Sequence, residues 1–216
     1  MSGHRSPYAD RAAAGAVLAE LLEPLARASD PVVLALPRGG VPVAAPIAAA
    51  LSAPLGVVVV RKIGVPGHRE LAMGALAAVG DRVELIRNES VIRSTGVSEE
   101  AFERVAQHER HELRLRSERF APAGTSLEGR LAVLVDDGLA TGSTMLAAVR
   151  ALRRSSPAKI VVAVPLAAAA ALALLETVAE QVVCPWVPRH FIAVGQGYLD
   201  FSQVSEDEVR RLLTAG

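Results

Sequence analysis

The sequence predicts an α/β fold with a central, mostly parallel β-sheet flanked by helices. Short runs of Val, Ile and Leu recur along the chain, and segments of helical length separate them, which is typical of strands buried on both faces. With 216 residues, 51% of them hydrophobic, the chain can bury one sizeable core. Lys plus Arg and Asp plus Glu both number 23, so the neutral chain has no global basic field for binding nucleic acid.

Five apolar runs predict the strands of this sheet. Each is short and rich in β-branched residues, as expected for strands between two helical layers. In chain order they are Val32–Leu36, Val57–Arg61, Leu131–Val135, Ile160–Val164 and Gln181–Pro185.

The segments before, between and after these strands predict five helices. Pro42 suits the first turn of the second helix, whereas Pro46 in its interior is unfavourable. The helices are predicted over Asp10–Ala28, Val41–Leu51, Ser143–Arg154, Leu166–Val178 and Ser205–Leu213.

Two stretches interrupt the alternation. The segment Pro66–Asn88 contains three glycines and predicts a mobile loop followed by a hairpin or an extra strand, with Arg82–Arg87 as one arm. The segment Ser98–Arg119 predicts one long helix, in which 11 of 22 residues are charged. Its thin apolar stripe of Phe102, Val105 and Leu113 indicates a helix on the outside of the fold.

The sequence argues against a membrane span or a secreted protein. The uncharged stretch Gly39–Val60 has 22 residues, enough to cross a bilayer, but three prolines and a glycine break it and it ends in a valine-rich strand. Charged residues interrupt the Ala-rich N-terminal run, which disfavours a signal peptide. The single cysteine, Cys184, excludes an internal disulfide and suits a reducing compartment. We therefore expect a cytoplasmic protein with no membrane partner.

Polar residues follow three of the predicted strands. Pro37–Gly40 follows the first strand, Arg61 and Lys62 end the second, and Asp136–Thr144 follows the third. Ligands of an open parallel sheet bind beyond the carboxyl ends of its strands, so these residues are expected to meet at one edge.

The segment Asp136–Thr144 carries the sharpest chemical signal. Two adjacent carboxylates after a buried strand are costly to desolvate, so they are expected to face a wet cleft. The small residues and hydroxyls of Ala140–Thr144 then lead into a helix, which predicts a phosphate cradle. An ordinary capped helix would explain Ser143 or Thr144 but not the acid pair beside them. The loop has no lysine and no G-x-G-x-x-G, which excludes the P-loop and dinucleotide fingerprints.

The string LAVLVDDGLATGSTM resembles the PRPP-binding motif of type I phosphoribosyltransferases, where PRPP is 5-phosphoribosyl 1-pyrophosphate. Arg38 and Gly39 after the first strand are similar to the family's pyrophosphate loop, in which a non-proline cis peptide often occurs. The resemblance runs from about residue 30 to residue 201. VVLALPRGGVPVA, VVVVRKIGVPGHRELAMGA and residues 191–201 together resemble a subgroup of stand-alone bacterial phosphoribosyltransferases of undefined substrate. The resemblance implies the type I phosphoribosyltransferase fold, with a small hood and a flexible loop.

The resemblance implies a role for each matching residue. Asp136 and Asp137 would hold the ribose 2′- and 3′-hydroxyls, and the 5′-phosphate would bind to Ala140, Thr141, Gly142, Ser143 and Thr144. The pyrophosphate would meet Arg38, Gly39, Arg61 and Lys62. The catalytic set would be Asp136, Asp137, Arg38, Arg61 and Lys62. Alternatively, Arg61 and Lys62 are a solvated basic pair at a strand end.

The implied cofactor is Mg²⁺ bound together with PRPP. The metal would be held mainly through the substrate, with Asp136, Asp137 and Asp200 as further contacts. It would bridge the pyrophosphate and the ribose hydroxyls, where it stabilises charge on the leaving group.

Four of the seven aromatic residues, Trp186, Phe191, Tyr198 and Phe201, lie close together after the last predicted strand. They predict a hood with a stacking surface for a planar base, or an ordinary apolar mini-core. The segment resembles the base-binding end of the hypoxanthine-guanine enzymes, with a spacing that differs by about two residues. By that likeness Phe191 would stack on the base, Ile192 would offer backbone contacts, and Asp200 would take the place of an acid near the pyrophosphate. Those enzymes also carry an acid where this chain has Ala140, so no general base is evident.

The whole chain, residues 1–216, is interpreted as one phosphoribosyltransferase domain. Its core would span about residues 30–185, and its hood would come from residues 186–204, with the N-terminal helix as a further part. In the mobile loop, His68, Arg69 and Glu70 either close over the site as a lid or are simply exposed. The resemblance also implies a homodimer.

Two functions remain open at this stage. One is transfer of the phosphoribosyl group from PRPP to a nitrogen nucleophile such as a nucleobase, with release of pyrophosphate. The other is a non-catalytic regulator of the same fold that senses PRPP or a nucleotide. A nucleic-acid partner is not expected, since the chain is neutral.

Overall fold

The protein is described by a computed structural model over residues 6–26, 30–79, 82–117 and 126–214. Within these ranges seven strands form one sheet in the order β4-β3-β2-β1-β5-β6-β7. The strands are β1 Pro31–Ala35, β2 Leu55–Val65, β3 His68–Val79, β4 Arg82–Arg87, β5 Leu131–Val135, β6 Lys159–Ala163 and β7 Gln181–Val183. The strands β2, β1, β5, β6 and β7 pair in parallel, whereas β3 and β4 add an antiparallel edge. The predicted α/β fold with a mostly parallel sheet is confirmed.

Helices cover both faces of the sheet. On one face the apolar side chains of α1, α2, α4 and α7 form one buried cluster with those of β1, β2, β3 and β5, and on the other face those of α5 and α6 form a second cluster with the sheet. The helices are α1 Arg11–Ala26, α2 Gly40–Leu51, α3 Glu89–Thr95, α4 Glu99–Ser117, α5 Ser143–Arg153, α6 Ala169–Glu176 and α7 Glu206–Thr214. A short 3₁₀ helix spans Val194–Gly197. None of the helices in the described ranges is both long and apolar enough to span a bilayer.

All five predicted strands are present, and the predicted arm Arg82–Arg87 is β4. The mobile loop predicted from Pro66 is wrong, because the turn consists only of Pro66 and Gly67, and His68 already begins β3. The alanine-rich β3 has weak strand propensity, so its sequence does not stand out. Its small residues fit between β4 and α4: a Cβ on Gly74 would lie 2.7 Å from the Ile86 carbonyl oxygen and 3.5 Å from the Phe102 ring.

Several helix boundaries differ from the prediction. The predicted helix Leu166–Val178 begins only at Ala169, because Leu139 pairs with the chain before it: the Leu139 N–H donates to the Leu166 carbonyl, and the Ala168 N–H donates to the Leu139 carbonyl. The helix α3 was not predicted; the Asn88 side chain caps its start, and Gly96 in the left-handed region follows its end. The predicted helices also include residues 27–28 and 118–119, which lie outside the described residues.

The outer helix α4 lies where the sequence predicts it. Phe102, Ala106 and Leu113 are buried against β2 and β3, and the rest of the helix is largely polar. The predicted stripe therefore gains Ala106, whereas Val105 is only half-buried.

Helix α2 continues through Pro46 and packs closely against α1. A Cβ on Gly15 of α1 would lie 2.2 Å from the Val43 carbonyl oxygen and 2.5 Å from the Pro46 ring. No side chain fits at this crossing, so the glycine permits a close approach that fixes α1 against the sheet. The first residue of α1, Arg11, lies one helical turn before Gly15, so this packing sets its position.

The sheet has one topological switch point. From β1 the chain runs outward through β2, β3 and β4, while β5, β6 and β7 extend the sheet in the opposite direction. Because β1 and β5 are adjacent and parallel, the loops after them meet at the same edge, where ligands of such sheets bind.

Candidate functional site

The loops after β1 and β5 pack directly against each other at the switch point. The Leu36 N–H donates to the Val135 carbonyl at 2.9 Å, which continues the pairing of the two strands. A Cβ on Gly39 would lie 2.1 Å from Asp137 Oδ2, and one on Gly40 would lie 2.7 Å from the Val135 carbonyl oxygen. The peptide bond between Pro37 and Arg38 is cis, as the sequence resemblance led us to expect. Glycine is therefore required at both positions for the loop backbone to reach the acid pair.

Asp136 and Asp137 form a coupled pair of carboxyl groups. Asp136 Oδ1 accepts a hydrogen bond from the Asp137 N–H at 2.9 Å. Burial, followed by repulsion from Asp137, raises the pKa of Asp136 well above its usual range. Burial also raises the pKa of Asp137, and the neighbouring Arg11 guanidinium opposes this shift. The pair is thus partly desolvated, a state that proteins keep at sites where a ligand satisfies the charge.

Sequence reasoning missed Arg11. Its Nε and Nη2 lie 3.0 and 2.9 Å from Asp137 Oδ2, and its Nη1 donates to the Ser202 carbonyl at 2.8 Å. The guanidinium carbon lies 4.0 Å from the centre of the Phe201 ring. No local pattern in the sequence announces this contact, because 126 positions separate Arg11 from Asp137.

The N-terminal segment and the hood, residues 186–204, are bonded to each other beside Asp137. Backbone hydrogen bonds join Tyr8 to Gly197 and Leu199, and the Asp200 N–H donates to the Ala9 carbonyl. The Tyr198 hydroxyl donates to the Asp137 carbonyl at 2.5 Å. The two segments are thus anchored to the loop that carries the acid pair.

The loop Ala140–Thr144 leads into α5 through the N-cap residue Gly142, and the Thr141 hydroxyl oxygen accepts from the Ser143 N–H at 3.4 Å. Gly142 takes a φ of +72°, which favours glycine, and turns the chain into the helix. The Thr141 and Ser143 hydroxyl oxygens lie 3.1 Å apart, and Thr141 is exposed. The first turn of α5 therefore combines N–H donors with hydroxyl donors, which is an arrangement suited to an anion.

Arg61 and Lys62 have different surroundings. Side chains alternate along a strand, and Arg61 is on the side of α4, where its Nε donates to Glu109 Oε2 at 2.6 Å. Lys62 is exposed. Both residues line a cleft of about 600 Å³ between the β2–β3 hairpin and α4. The interpretation that both cations meet one pyrophosphate is therefore weakened for Arg61, whose charge is already paired.

The residues predicted for base binding are only partly suited to it. Phe191 packs on the apolar cluster of Tyr8, Leu166 and Tyr198, as the mini-core interpretation requires. Ile192 is 87% exposed, but its N–H donates to the Gln196 side chain at 2.8 Å. The Phe201 ring stacks on Tyr198 with centroids 5.1 Å apart.

Asp200 lies on the exposed side of the hood. Its Oδ1 accepts a hydrogen bond from the Ser202 N–H at 2.9 Å, which together with the nearby Arg11 lowers its pKa. Its carboxyl group is therefore satisfied locally. At the hairpin, His68 and Glu70 are exposed next to the turn, and Arg69 lies between them in β3.

The acid pair is expected to reduce the stability of the fold. Asp136→Asn removes one of two adjacent buried charges while its amide oxygen can still accept from the Asp137 N–H. We expect the free energy of unfolding at neutral pH to rise by about 1 kcal/mol. Urea denaturation measures the change, with Asp207→Asn at a carboxyl group that is 86% exposed as the control. A lower stability of Asp136→Asn would contradict this interpretation of the pair.

Comparison with known proteins identifies the family of this chain. The model of the phosphoribosyl transferase domain matches residues 7–198. Two curated proteins from strains of Mycobacterium tuberculosis, both named "Putative phosphoribosyl transferase", are 46% identical over 204 residues, which is 94% of this chain. The chain spans 45% of their length. The crystal structure of TT1426 from Thermus thermophilus is 43% identical, with a TM-score of 0.86 over 97% of this chain and 98% of that one.

The matched region includes both loops of the switch point, and with them the acid pair. A match to nearly the whole chain, together with relatives above 40% identity over almost all of it, leaves no doubt about descent. The chain belongs to the phosphoribosyl transferase domain family, and its fold is the type I phosphoribosyltransferase fold.

Proposed function

We propose that this protein transfers the 5-phosphoribosyl group of PRPP to a nitrogen atom of a nucleobase and releases pyrophosphate. The observation that carries the proposal is the junction of three features at one switch point: the acid pair, the start of α5 and the glycines of the β1–α2 loop. Each feature matches one part of PRPP, namely its ribose hydroxyls, its 5′-phosphate and its pyrophosphate.

The ribose and the 5′-phosphate would bind to the loop after β5. Asp136 and Asp137 would accept hydrogen bonds from the ribose hydroxyls, and bonds of this kind to a charged acceptor are short and strong. The 5′-phosphate would take the N–H groups and hydroxyls of Ala140–Thr144. Its charge would be favoured by the start of α5.

The pyrophosphate would leave toward the β1–α2 loop. As the bond to the ribose breaks, positive charge develops on the sugar and negative charge on the leaving oxygen. Arg38 supplies a cation there, and the backbone of Gly39 and Gly40 can approach the phosphates because neither residue has a side chain. Holding both reactants in line and stabilising the charge on the leaving group would together account for most of the rate gain.

The donor set suits Mg²⁺. Carboxylate oxygens are the ligands that this ion prefers, and Asp136 and Asp137 offer them beside the site of the pyrophosphate. When bound with PRPP, the metal would neutralise charge on the pyrophosphate. Asp200 is less suited, since its carboxyl group lies on the exposed side of the hood.

The nucleobase would bind at the hood. Ile192 and Leu199 are 87% and 77% exposed, so they offer apolar surface on the segment that also carries Tyr198, whose hydroxyl contacts the Asp137 carbonyl. Apolar surface next to the ribose site suits a planar, weakly polar acceptor.

The experiment is release of pyrophosphate from PRPP and Mg²⁺, measured with purified protein across a panel of purine and pyrimidine bases. Release that depends on one base supports the transferase and names its acceptor. Binding of PRPP without release for any base would refute catalysis on this panel and favour a regulator that senses PRPP. A chain that does not bind PRPP would overturn the assignment of the site.

Thr141→Val tests the phosphate loop. The substitution keeps the shape of the side chain but removes a hydroxyl from the start of α5, so we expect the affinity for PRPP to fall about tenfold. Calorimetric titration measures it. The control is Thr214→Val in α7, where the hydroxyl donates only to carbonyls of its own helix. Equal affinity of Thr141→Val and the wild type would remove Thr141 from the site.

A further inference from the structure

Arg11 joins three parts of the molecule through one guanidinium group. Nε and Nη2 reach the Asp137 carboxylate of the β5–α5 loop, and Nη1 donates to the Ser202 carbonyl of the hood. The guanidinium carbon lies over the Phe201 ring, 4.0 Å from its centroid. Only 11% of the Arg11 side chain and 15% of the Asp137 side chain are exposed. The interaction is therefore a fixed, mostly dry contact rather than a surface ion pair.

The two donors of Arg11 reach the same carboxylate oxygen. Both Nε and Nη2 bind Oδ2, which leaves Oδ1 as the acceptor for a ligand hydroxyl. A carboxylate held by two donors at one oxygen loses its freedom to rotate, and the second oxygen then has a fixed direction.

We propose that Arg11 is a positioning residue that orients Asp137 so that Oδ1 accepts a ribose hydroxyl. This inference rests on the proposed function, because it assigns the support of the same ribose site. Arg11 touches no reacting atom in this account and acts through Asp137 alone.

Asp137 is held from a second direction as well. The Tyr198 hydroxyl donates to its backbone carbonyl at 2.5 Å, and Tyr198 also stacks on Phe201. Phe201 in turn lies against Arg11, so the hood, Arg11 and Asp137 form a closed ring of contacts. Replacing Arg11 removes the hydrogen bonds to the Asp137 side chain, whereas the bond from Tyr198 to the Asp137 backbone carbonyl remains.

Stability alone does not account for the pair. The desolvation cost of a buried ion pair often equals or exceeds its Coulombic gain, so an apolar pair of similar volume would stabilise the fold as well. Placing the Arg11 cation on Asp137 does, however, fix the direction of a carboxylate that a ligand must meet. Orientation is the property that the contacts explain best.

The test compares two ligands that differ only in the ribose hydroxyls. Ribose 5-phosphate and its 2,3-dideoxy analogue are titrated, without metal, into the wild-type protein and into Arg11→Met and Arg11→Lys. The dissociation constant of the dideoxy analogue divided by that of ribose 5-phosphate measures recognition of the hydroxyls alone. Arg130→Met serves as the matched control, because Arg130 also forms an ion pair, with Asp30, but at the opposite end of β5.

We expect Arg11→Met to lower this ratio about tenfold, the contribution of one hydrogen bond to a charged acceptor. Affinity for the dideoxy analogue, which retains the phosphate, is expected to stay within about twofold. Arg11→Lys keeps the charge without the paired donors, so its ratio is expected to fall between those of Arg11→Met and the wild type. Arg130→Met is expected to match the wild type.

If Arg11 had a merely structural role, Arg11→Met would lower the affinity for both ligands equally and leave the ratio unchanged. That result would overturn the inference. If Arg11→Met does not fold, a wild-type ratio in Arg11→Lys has the same meaning. Failure of the proposed function looks different, because the wild-type protein itself would then fail to prefer ribose 5-phosphate over its dideoxy analogue.

Discussion

Asp137→Asn is expected to abolish turnover of PRPP and to reduce its affinity at least about 100-fold. Asparagine replaces one acceptor oxygen by an NH₂ donor and removes the negative charge, and a hydrogen bond to a charged group is worth about 1.5 to 3 kcal/mol. The guanidinium of Arg11 would also remain beside the pocket without its counter-charge, which further disfavours the bound geometry. Pyrophosphate release and calorimetric titration measure the two effects.

The fold of Asp137→Asn is expected to persist, because the amide oxygen can still accept from Arg11 and the Tyr198 hydroxyl still meets the backbone carbonyl. Circular dichroism checks this. Asp30→Asn is the matched control, since its carboxylate also pairs with an arginine but is 71% exposed at the start of β1. Turnover at the wild-type rate in Asp137→Asn would remove this carboxylate from the site.

Gly39→Ala is expected to have an effect of similar size. The added Cβ would lie 2.1 Å from Asp137 Oδ2, and no Cβ tolerates that distance. Either the β1–α2 loop or the Asp137 carboxylate must move, and a displacement of about 1 Å is enough to cost about 100-fold in rate. We expect PRPP turnover to fall by at least that factor, as measured by initial rates of pyrophosphate release.

Gly56→Ala provides the control for this substitution. Gly56 lies in β2, and its added Cβ would meet only the flexible end of the Leu34 side chain at 3.1 Å. Its turnover is expected to stay near that of the wild type. If Gly39→Ala were as active as Gly56→Ala, close contact between the two loops would not be needed for activity.

The sequence was sufficient for the parallel core because the strands of that core have strong local signals. Val57–Val60 and Leu131–Val135 are short apolar runs with clear boundaries, and strands buried on both faces require such runs. The antiparallel edge was harder to predict. Five of the 12 residues of β3 are alanine or glycine, which have weak strand propensity, and β3 is held by its pairing with β2 and β4 and by α4 packed over it, which only the tertiary structure reveals.

In the site, too, the residues that are close in sequence could be predicted and the distant partners could not. The acid pair and the loop Ala140–Thr144 are contiguous in the chain, so their chemistry can be read from one string. Arg11 reaches Asp137 through the packing of Gly15 on α2 and the hydrogen bonds of Tyr8 and Ala9 to the hood, and Arg61 pairs with Glu109 in the distant helix α4. Neither partner could be predicted, because long-range pairing leaves no periodic pattern in the sequence.

The most direct test of the central claim is calorimetric titration of PRPP with Mg²⁺ into the wild-type chain. The acid pair, the phosphate loop and the glycine loop should together give saturable binding of about one PRPP per chain, and inorganic pyrophosphate should compete for it. Absence of a saturable binding signal up to about millimolar PRPP would contradict the account, because three matching subsites should give a dissociation constant well below that concentration.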